Sequence, residues 1–242
     1  MQSLTRKLTW LALFSIAMGF METAVVIYLR KIYYPGGFHF PLIPVSTDIA
    51  IVEFLREAAT VIMLLSIGLL TGKTVSQKFA IFIYCFAIWD IFYYVFLKLF
   101  LNWPGSVFTW DILFLIPVPW VGPVLAPCVV SVSMILFALV IILSIEKNKT
   151  VKIKPVEWFL FTTGCLIIIS SFISPYFAEI NNKNHSAWIL KSKRDLFEEI
   201  KQFVPTTYNW LLFCSGEFIL LTSIFLFSKR IFSKHDTTIK TN

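Results

Sequence analysis

Three ionisable residues fall within five positions of an otherwise apolar run. They are Glu53, Arg56 and Glu57, in Glu53-Phe54-Leu55-Arg56-Glu57, inside the stretch 49–70. On a helix Glu53 and Glu57 lie one turn apart on one face, with Arg56 beside them. A charge near the centre of a bilayer costs roughly 2.5–3.5 kcal/mol on insertion scales, so such residues survive where they meet partners or line a wet cavity. Carboxylates around one guanidinium suit two kinds of chemistry. They can bind a proton, a cation or a basic small ligand, with Arg56 setting their proton affinity. They can also act as a general acid and base, one neutral and one ionised. Glu22, Asp90 and Glu217 stand alone in other apolar runs, and Asp111 opens a Pro-rich one.

The elements that must position these residues follow from composition. The chain has 242 residues, 57% hydrophobic and 14% charged, with 25 phenylalanines. Soluble domains carry about 25% charged residues. Several separate apolar runs of roughly 20 residues predict an all-α, polytopic membrane helix bundle in a single integral membrane domain, 1–242. The formal charge of +7 does not point to nucleic acid, because Lys and Arg lie almost entirely in connectors and tails, where orientation in a bilayer needs them. The partners expected are the lipid bilayer and a small ligand or ion.

Six transmembrane helices are predicted at about 8–29, 48–70, 79–101, 123–144, 156–176 and 206–227. Ser46 or Thr47 caps the second and Asp48 suits its positive end. Gly36-Gly37 reads as a tight turn. Between helices three and four the chain is apolar for longer than one crossing needs, and Pro117, Pro119, Pro123 and Pro127 interrupt it. Residues 111–122 are read as a re-entrant or interfacial half-helix, since non-helical backbone at membrane depth is tolerated only against protein or a wet cavity. Two short crossings, seven in all, are the alternative. Pro117, Pro119, Trp120, Gly122 and Pro123 are the candidates for a gate or lid. Within the fifth connector, Ile189, Leu196, Phe197, Ile200 and Phe203 recur at helical spacing, which suggests an amphipathic surface helix.

With six crossings, twelve Lys and Arg collect on the side of the N-terminus and eight on the other. That excess predicts both termini in the cytoplasm. The same topology puts Glu22, Glu53, Glu57, Asp90 and Glu217 roughly 8–17 Å beneath the outer surface at 1.5 Å per residue. Asp111 and the Pro-rich segment approach from that side. The expectation is therefore one acid-rich cavity in the outer half of the bilayer, built from four helices.

The segments Gly19-Phe20-Met21-Glu22-Thr23-Ala24-Val25-Val26, Arg56-Glu57-Ala58-Ala59-Thr60, Trp89-Asp90-Ile91-Phe92-Tyr93-Tyr94 and Pro117-Val118-Pro119-Trp120-Val121-Gly122-Pro123 resemble an uncharacterised family of small polytopic bacterial inner-membrane proteins. The resemblance covers about the first 130 residues. It implies bacterial origin and a plasma (inner) membrane location, and carries no activity.

The four cysteines, Cys85, Cys128, Cys165 and Cys214, are widely spaced in apolar runs without a CxxC, as small hydrophobes would be. The three histidines, His39, His185 and His235, lie outside those runs, which argues against bis-histidine haem sites in the bilayer. No GxxxxGK[ST], HExxH or GxSxG occurs. No cofactor is evident, although a metal held by Glu53, Glu57 and Asp90 would suit the chemistry. Three functional readings follow. The first is binding or transport of a proton, cation or basic small ligand. The second is an intramembrane enzyme acting on a lipid or isoprenoid. The third is a scaffold or assembly subunit whose charges pair with a partner helix.

Overall fold

The computed structural model of the chain describes residues 2–43, 45–115, 118–147, 151–182 and 204–239. Among them are six helices and one hairpin. In chain order these are α1 (Gln2–Tyr33), α2 (Thr47–Thr71), α3 (Val75–Leu101), β1 (Trp110–Phe114), β2 (Trp120–Pro123), α4 (Leu125–Lys147), α5 (Pro155–Asn182) and α6 (Trp210–Ile239). Five helices are long and apolar enough to cross a membrane: α1, α3, α4, α5 and α6. The chain is a helical membrane protein. The helix outside that group is α2, whose run is interrupted by Glu53, Arg56 and Glu57.

The helix ends show their chemistry. Ser46 caps α2, accepting from the Ile49 amide at 3.4 Å, and Asp48 sits in the first turn. Thr74 caps α3, while the Gln77 side chain accepts from the Lys73 amide at 2.8 Å. The turn after α1 closes with the Gly37 amide on the Tyr34 carbonyl, and Gly37 takes φ +104°, open to glycine at no cost. Several expected starts move: α1 begins at Gln2 rather than 8 and α3 at Val75 rather than 79. α4 begins at Leu125 rather than Pro123, and α6 at Trp210 rather than 206, capped by the Asn209 side chain on the Leu212 amide. The α5 helix runs past 176, through Pro175, to Asn182.

The half-helix expected at 111–122 is instead an antiparallel hairpin. Trp110 faces Pro123, Asp111 faces Gly122, Ile112 faces Val121 and Phe114 faces Trp120, with an irregularity between Ile112 and Phe114. The reason lies in the residues. Pro119 and Pro123 cannot donate in a helix, and aromatic and β-branched side chains favour pleated backbone. Pro117, and the amphipathic segment expected at 189–203, lie outside the described residues.

Packing is organised by α3, which lies against α1, α2 and α4. Its Ala80, Ile81, Cys85, Ala87 and Leu97 are fully buried. The second unit is the α5–α6 pair, joined to the rest where α4 meets α6 and where β2 rests on α5. Without a hydrophobic drive between helices in lipid, close approach at small residues holds them together. The α5–α6 crossing is the clearest case. A Cβ on Gly164 would stand 2.9 Å from the Gly216 carbonyl oxygen and the Leu220 amide, and one on Gly216 would meet the Gly164 carbonyl at 3.0 Å. Gly68 lets α2 lie on α3 in the same way, 2.8 Å from the Lys78 carbonyl oxygen. The helices α1 and α2 run antiparallel, and two ties record it. Lys7 donates to the Thr71 carbonyl at 2.6 Å, and Glu22 pairs with Arg56. Each helix advances fifteen residues between the ties, about 22 Å at 1.5 Å per residue.

Gly164→Val and Gly216→Val are expected to lower stability by about 1–3 kcal/mol or more, the usual cost of overpacking. Gly105→Ala, at a position with open space around it, is expected to change nothing. Thermal unfolding of the purified variants in detergent checks both.

Candidate functional site

Four of the ionisable residues marked by the sequence come together, and they join α1 to α2. Arg56 forks onto Glu53 one turn earlier, with Nε to Oε2 at 2.8 Å and Nη2 to Oε1 at 2.5 Å. Its Nη1 reaches across to the Glu22 carboxylate on α1. Thr60, one turn further along α2, donates within reach of both Glu22 Oε2 at 3.3 Å and the Arg56 carbonyl at 3.1 Å. Planar, forked donation is what distinguishes arginine from lysine at such a place. Glu57 turns away from this fork. Its side chain accepts from the Leu115 amide at 3.0 Å, just past β1, and the residue is 8% exposed. The cluster thus sets three carboxylates against one guanidinium and touches the hairpin through a backbone amide.

The other marked acids are not in this cluster. Asp111 is 1% exposed and pairs with Arg30 at the end of α1, Nη2 to Oδ1 at 2.9 Å. The Arg30 guanidinium lies between two rings, 4.3 Å from the Phe38 centroid and 3.8 Å from that of Trp103. Burial pushes the Asp111 carboxyl up to about 6, and the nearby Arg30 charge opposes the rise. Asp90 turns toward α4, where the Ser131 hydroxyl donates to its Oδ2 at 2.8 Å. Glu217 faces α4 from α6 and accepts from Ser133.

One cavity gathering all the acids is therefore corrected to one shared cluster and three separate partnerships. The physical reason is helix phase. Equal depth does not make residues on different helices face one another, and α4 stands between Asp90 and Glu217. The metal considered for Glu53, Glu57 and Asp90 meets the same objection. Glu53 is committed to Arg56 and Asp90 to Ser131, and no group of three His, Cys, Asp or Glu among the described residues is arranged to hold a metal ion.

Of the candidate gate residues, Trp120 and Gly122 lie against Phe172 of α5, and Gly122 also stands opposite Asp111 across the hairpin. Trp120 stacks on Phe172 at 6.3 Å and meets Phe114 edge-on at 5.7 Å. Gly122 is crowded by Phe172 at 3.3 Å and by Leu113 and Tyr208 at 3.4 Å. Pro123 ends the strand opposite Trp110, which itself meets Tyr208 at 5.9 Å. Tyr208 in turn shares a 2.9 Å hydrogen bond with Ser171. The hairpin meets the α1–α2 cluster through the Leu115 amide just past β1.

Sequence reasoning missed Arg30, which reads as a connector charge, and the serines Ser131 and Ser133, which read as filler. The pattern Val130-Ser131-Val132-Ser133 inside an apolar run was the available signal. Glu157, at the entrance of α5, is also part of the framework. Arg230 on α6 forks onto it at 2.6 and 2.7 Å, and the Lys154 amide donates at 2.7 Å.

No known family model matches the sequence, no curated protein matches it, and no solved structure matches its fold.

Arg30→Ala would strand the Asp111 carboxyl in a buried place, and breaking a buried pair in this way costs about 3–5 kcal/mol. Arg30→Lys keeps the charge but loses the flat stacking between Phe38 and Trp103, so it is expected to restore only part of the loss. The double variant Arg30→Ala with Asp111→Asn is expected to be more stable than Arg30→Ala alone. Thermal unfolding of the wild type, Arg30→Lys, the single variants Arg30→Ala and Asp111→Asn, and the double variant measures the coupling.

Proposed function

We propose that this chain is a multi-pass membrane protein that binds a proton, cation or basic small ligand at Glu22, Glu53, Arg56, Glu57 and Thr60, and that the binding serves transport or sensing across the bilayer. One observation carries the reading: two carboxylates on two helices, Glu22 and Glu53, share a single guanidinium, and a third, Glu57, stands one turn along from Glu53 with no cation of its own. Purely structural neutralisation would need only one carboxylate for that arginine. With all three carboxyls ionised the cluster would carry two negative charges in excess, and Glu57 meets a backbone amide in place of a cation. Such an excess suits a positively charged occupant.

The wider arrangement in this reading has α2 as a sixth crossing. Its 25 residues would extend about 37 Å, more than the roughly 30 Å hydrocarbon core. Its charges turn toward α1 and the hairpin, while Val52, Leu55 and Ile62 face outward. Both termini lie in the cytoplasm of a bacterial cell, with the chain in the plasma (inner) membrane and the cluster in the outer half of the bilayer. The supporting facts are the excess of Lys and Arg on the N-terminal side and the resemblance of the first 130 residues. The hairpin, reaching Glu57 through Leu115, would gate the cluster.

The purified chain in lipid vesicles tests this with a series of probes: protons by pH jump, monovalent and divalent metal cations, and a polyamine. At least one probe is expected to stabilise the protein against heat and to be taken up by the vesicles. Glu22→Gln and Glu57→Gln are expected to weaken that response by roughly tenfold, equivalent to about 1.4 kcal/mol. Asp111→Asn, outside the cluster, is expected to retain the wild-type affinity. A wild type indifferent to every probe would remove the proposal.

A further inference from the structure

The buried and half-buried acids divide by the kind of partner they keep. Glu22 and Glu53 have Arg56, Asp111 has Arg30, Glu157 has Arg230, and Glu57 has a backbone amide. Asp90 and Glu217 have serine hydroxyls, and both serines belong to α4. Ser131 donates to Asp90 Oδ2 at 2.8 Å toward α3, and Ser133 to Glu217 Oε1 toward α6. Glu217 is 6% exposed, Ser133 is buried with it, and Glu217 Oε2 is a buried oxygen with no hydrogen-bond partner.

The groups around these two acids are neutral or acidic. Glu217 faces Ser133 from α4 and Cys165 from α5. Asp90 faces Ser131 and Cys128 from α4, Asp111 from the hairpin and Tyr94 from its own helix. Among the described residues no Lys or Arg acts on either. An ionised carboxylate presents two oxygens that each need donors, and one hydroxyl supplies one of them. A buried charge without a counter-charge is strongly disfavoured, whereas a neutral acid on a hydroxyl is an ordinary contact between membrane helices.

We infer that Asp90 and Glu217 are proton-binding sites, each holding its proton in contact with a serine of α4, so that α4 is clamped on two sides by uncharged acids. The ligand class is the proton itself, and the inference stands apart from the α1–α2 cluster. In the neutral form a proton on Glu217 Oε1 bridges to Ser133 Oγ and leaves Oε2 as a bare carbonyl oxygen, the cheaper of the two atoms to leave without a partner. Asp90 Oδ2 and Ser131 Oγ stand in the same relation. Release of either proton would put an unbalanced charge against α4 and loosen it from α3 or from α6.

Infrared spectroscopy of the full chain in lipid nanodiscs at neutral pH tests this directly, because protonated and ionised carboxyls absorb in separate regions. Against the wild type, Glu217→Gln and Asp90→Asn are each expected to remove one protonated-carboxyl C=O band. Glu53→Gln, which removes an ion-paired acid, is expected to remove ionised carboxylate absorption instead. Ser133→Ala and Ser131→Ala keep the acids and are expected to shift the corresponding bands to higher frequency, which serves if a variant at the acid fails to fold. Loss of ionised carboxylate absorption in Glu217→Gln or Asp90→Asn overturns the inference for that acid. So does a serine variant whose protonated-carboxyl region is unchanged from the wild type.

Discussion

A carboxyl group that leaves water has to find a cation, a donor or a proton, and the placement of every helix here is tied to one of those choices. Arg56 is the strongest instance. One side chain satisfies Glu53 on its own helix and Glu22 on α1, so the α1–α2 contact is fixed at that depth by charge. The Lys7–Thr71 contact fixes the other end. Between these ties each of the two helices packs on α3, α1 at Gly19 and α2 at Gly68.

The same principle explains the division of labour along the bundle. Apart from Arg56, which lies inside α2, the arginine ion pairs join elements near an entrance or end: Arg30 closes α1 onto β1, and Arg230 on α6 closes onto the entrance of α5. The acids held by α4 meet hydroxyls. Arginine can keep part of its long side chain near an interface, where the cost of charge is smaller. Serine, short and neutral, carries no such cost at the middle of a helix.

The apolar helices, the cap at Ser46 and the turn at Gly37 were legible because each depends on residues near in sequence. Glu22, Glu53, Arg56 and Glu57 were legible as a group because three of them lie on one turn of one helix. Their separation from Asp90, Asp111 and Glu217 was not legible. It depends on how far each helix is rotated about its own axis, which apolar faces all round do not encode: α4 in particular is hydrophobic on every side. The hairpin at Trp110–Pro123 was missed for a related reason. Its strands are stabilised by Phe172, Tyr176 and Tyr208, which are far away in sequence.

The spacing of Ser131 and Ser133 has a consequence for how the chain can vary over time. Two residues on an α-helix differ by about 200° in direction, which is what lets neighbours on nearly opposite sides of α4 each receive a hydroxyl. Deleting or inserting one residue between them would swing one hydroxyl by about 100° and leave its acid facing hydrocarbon. A change of length outside α4 leaves that spacing intact, although the hairpin side is held by the Val124 and Leu125 amides on the Thr109 and Val107 carbonyls. Length changes among descendants of this chain should therefore collect outside Leu125–Lys147, with the distance between those two serines held constant even where the apolar residues around them drift.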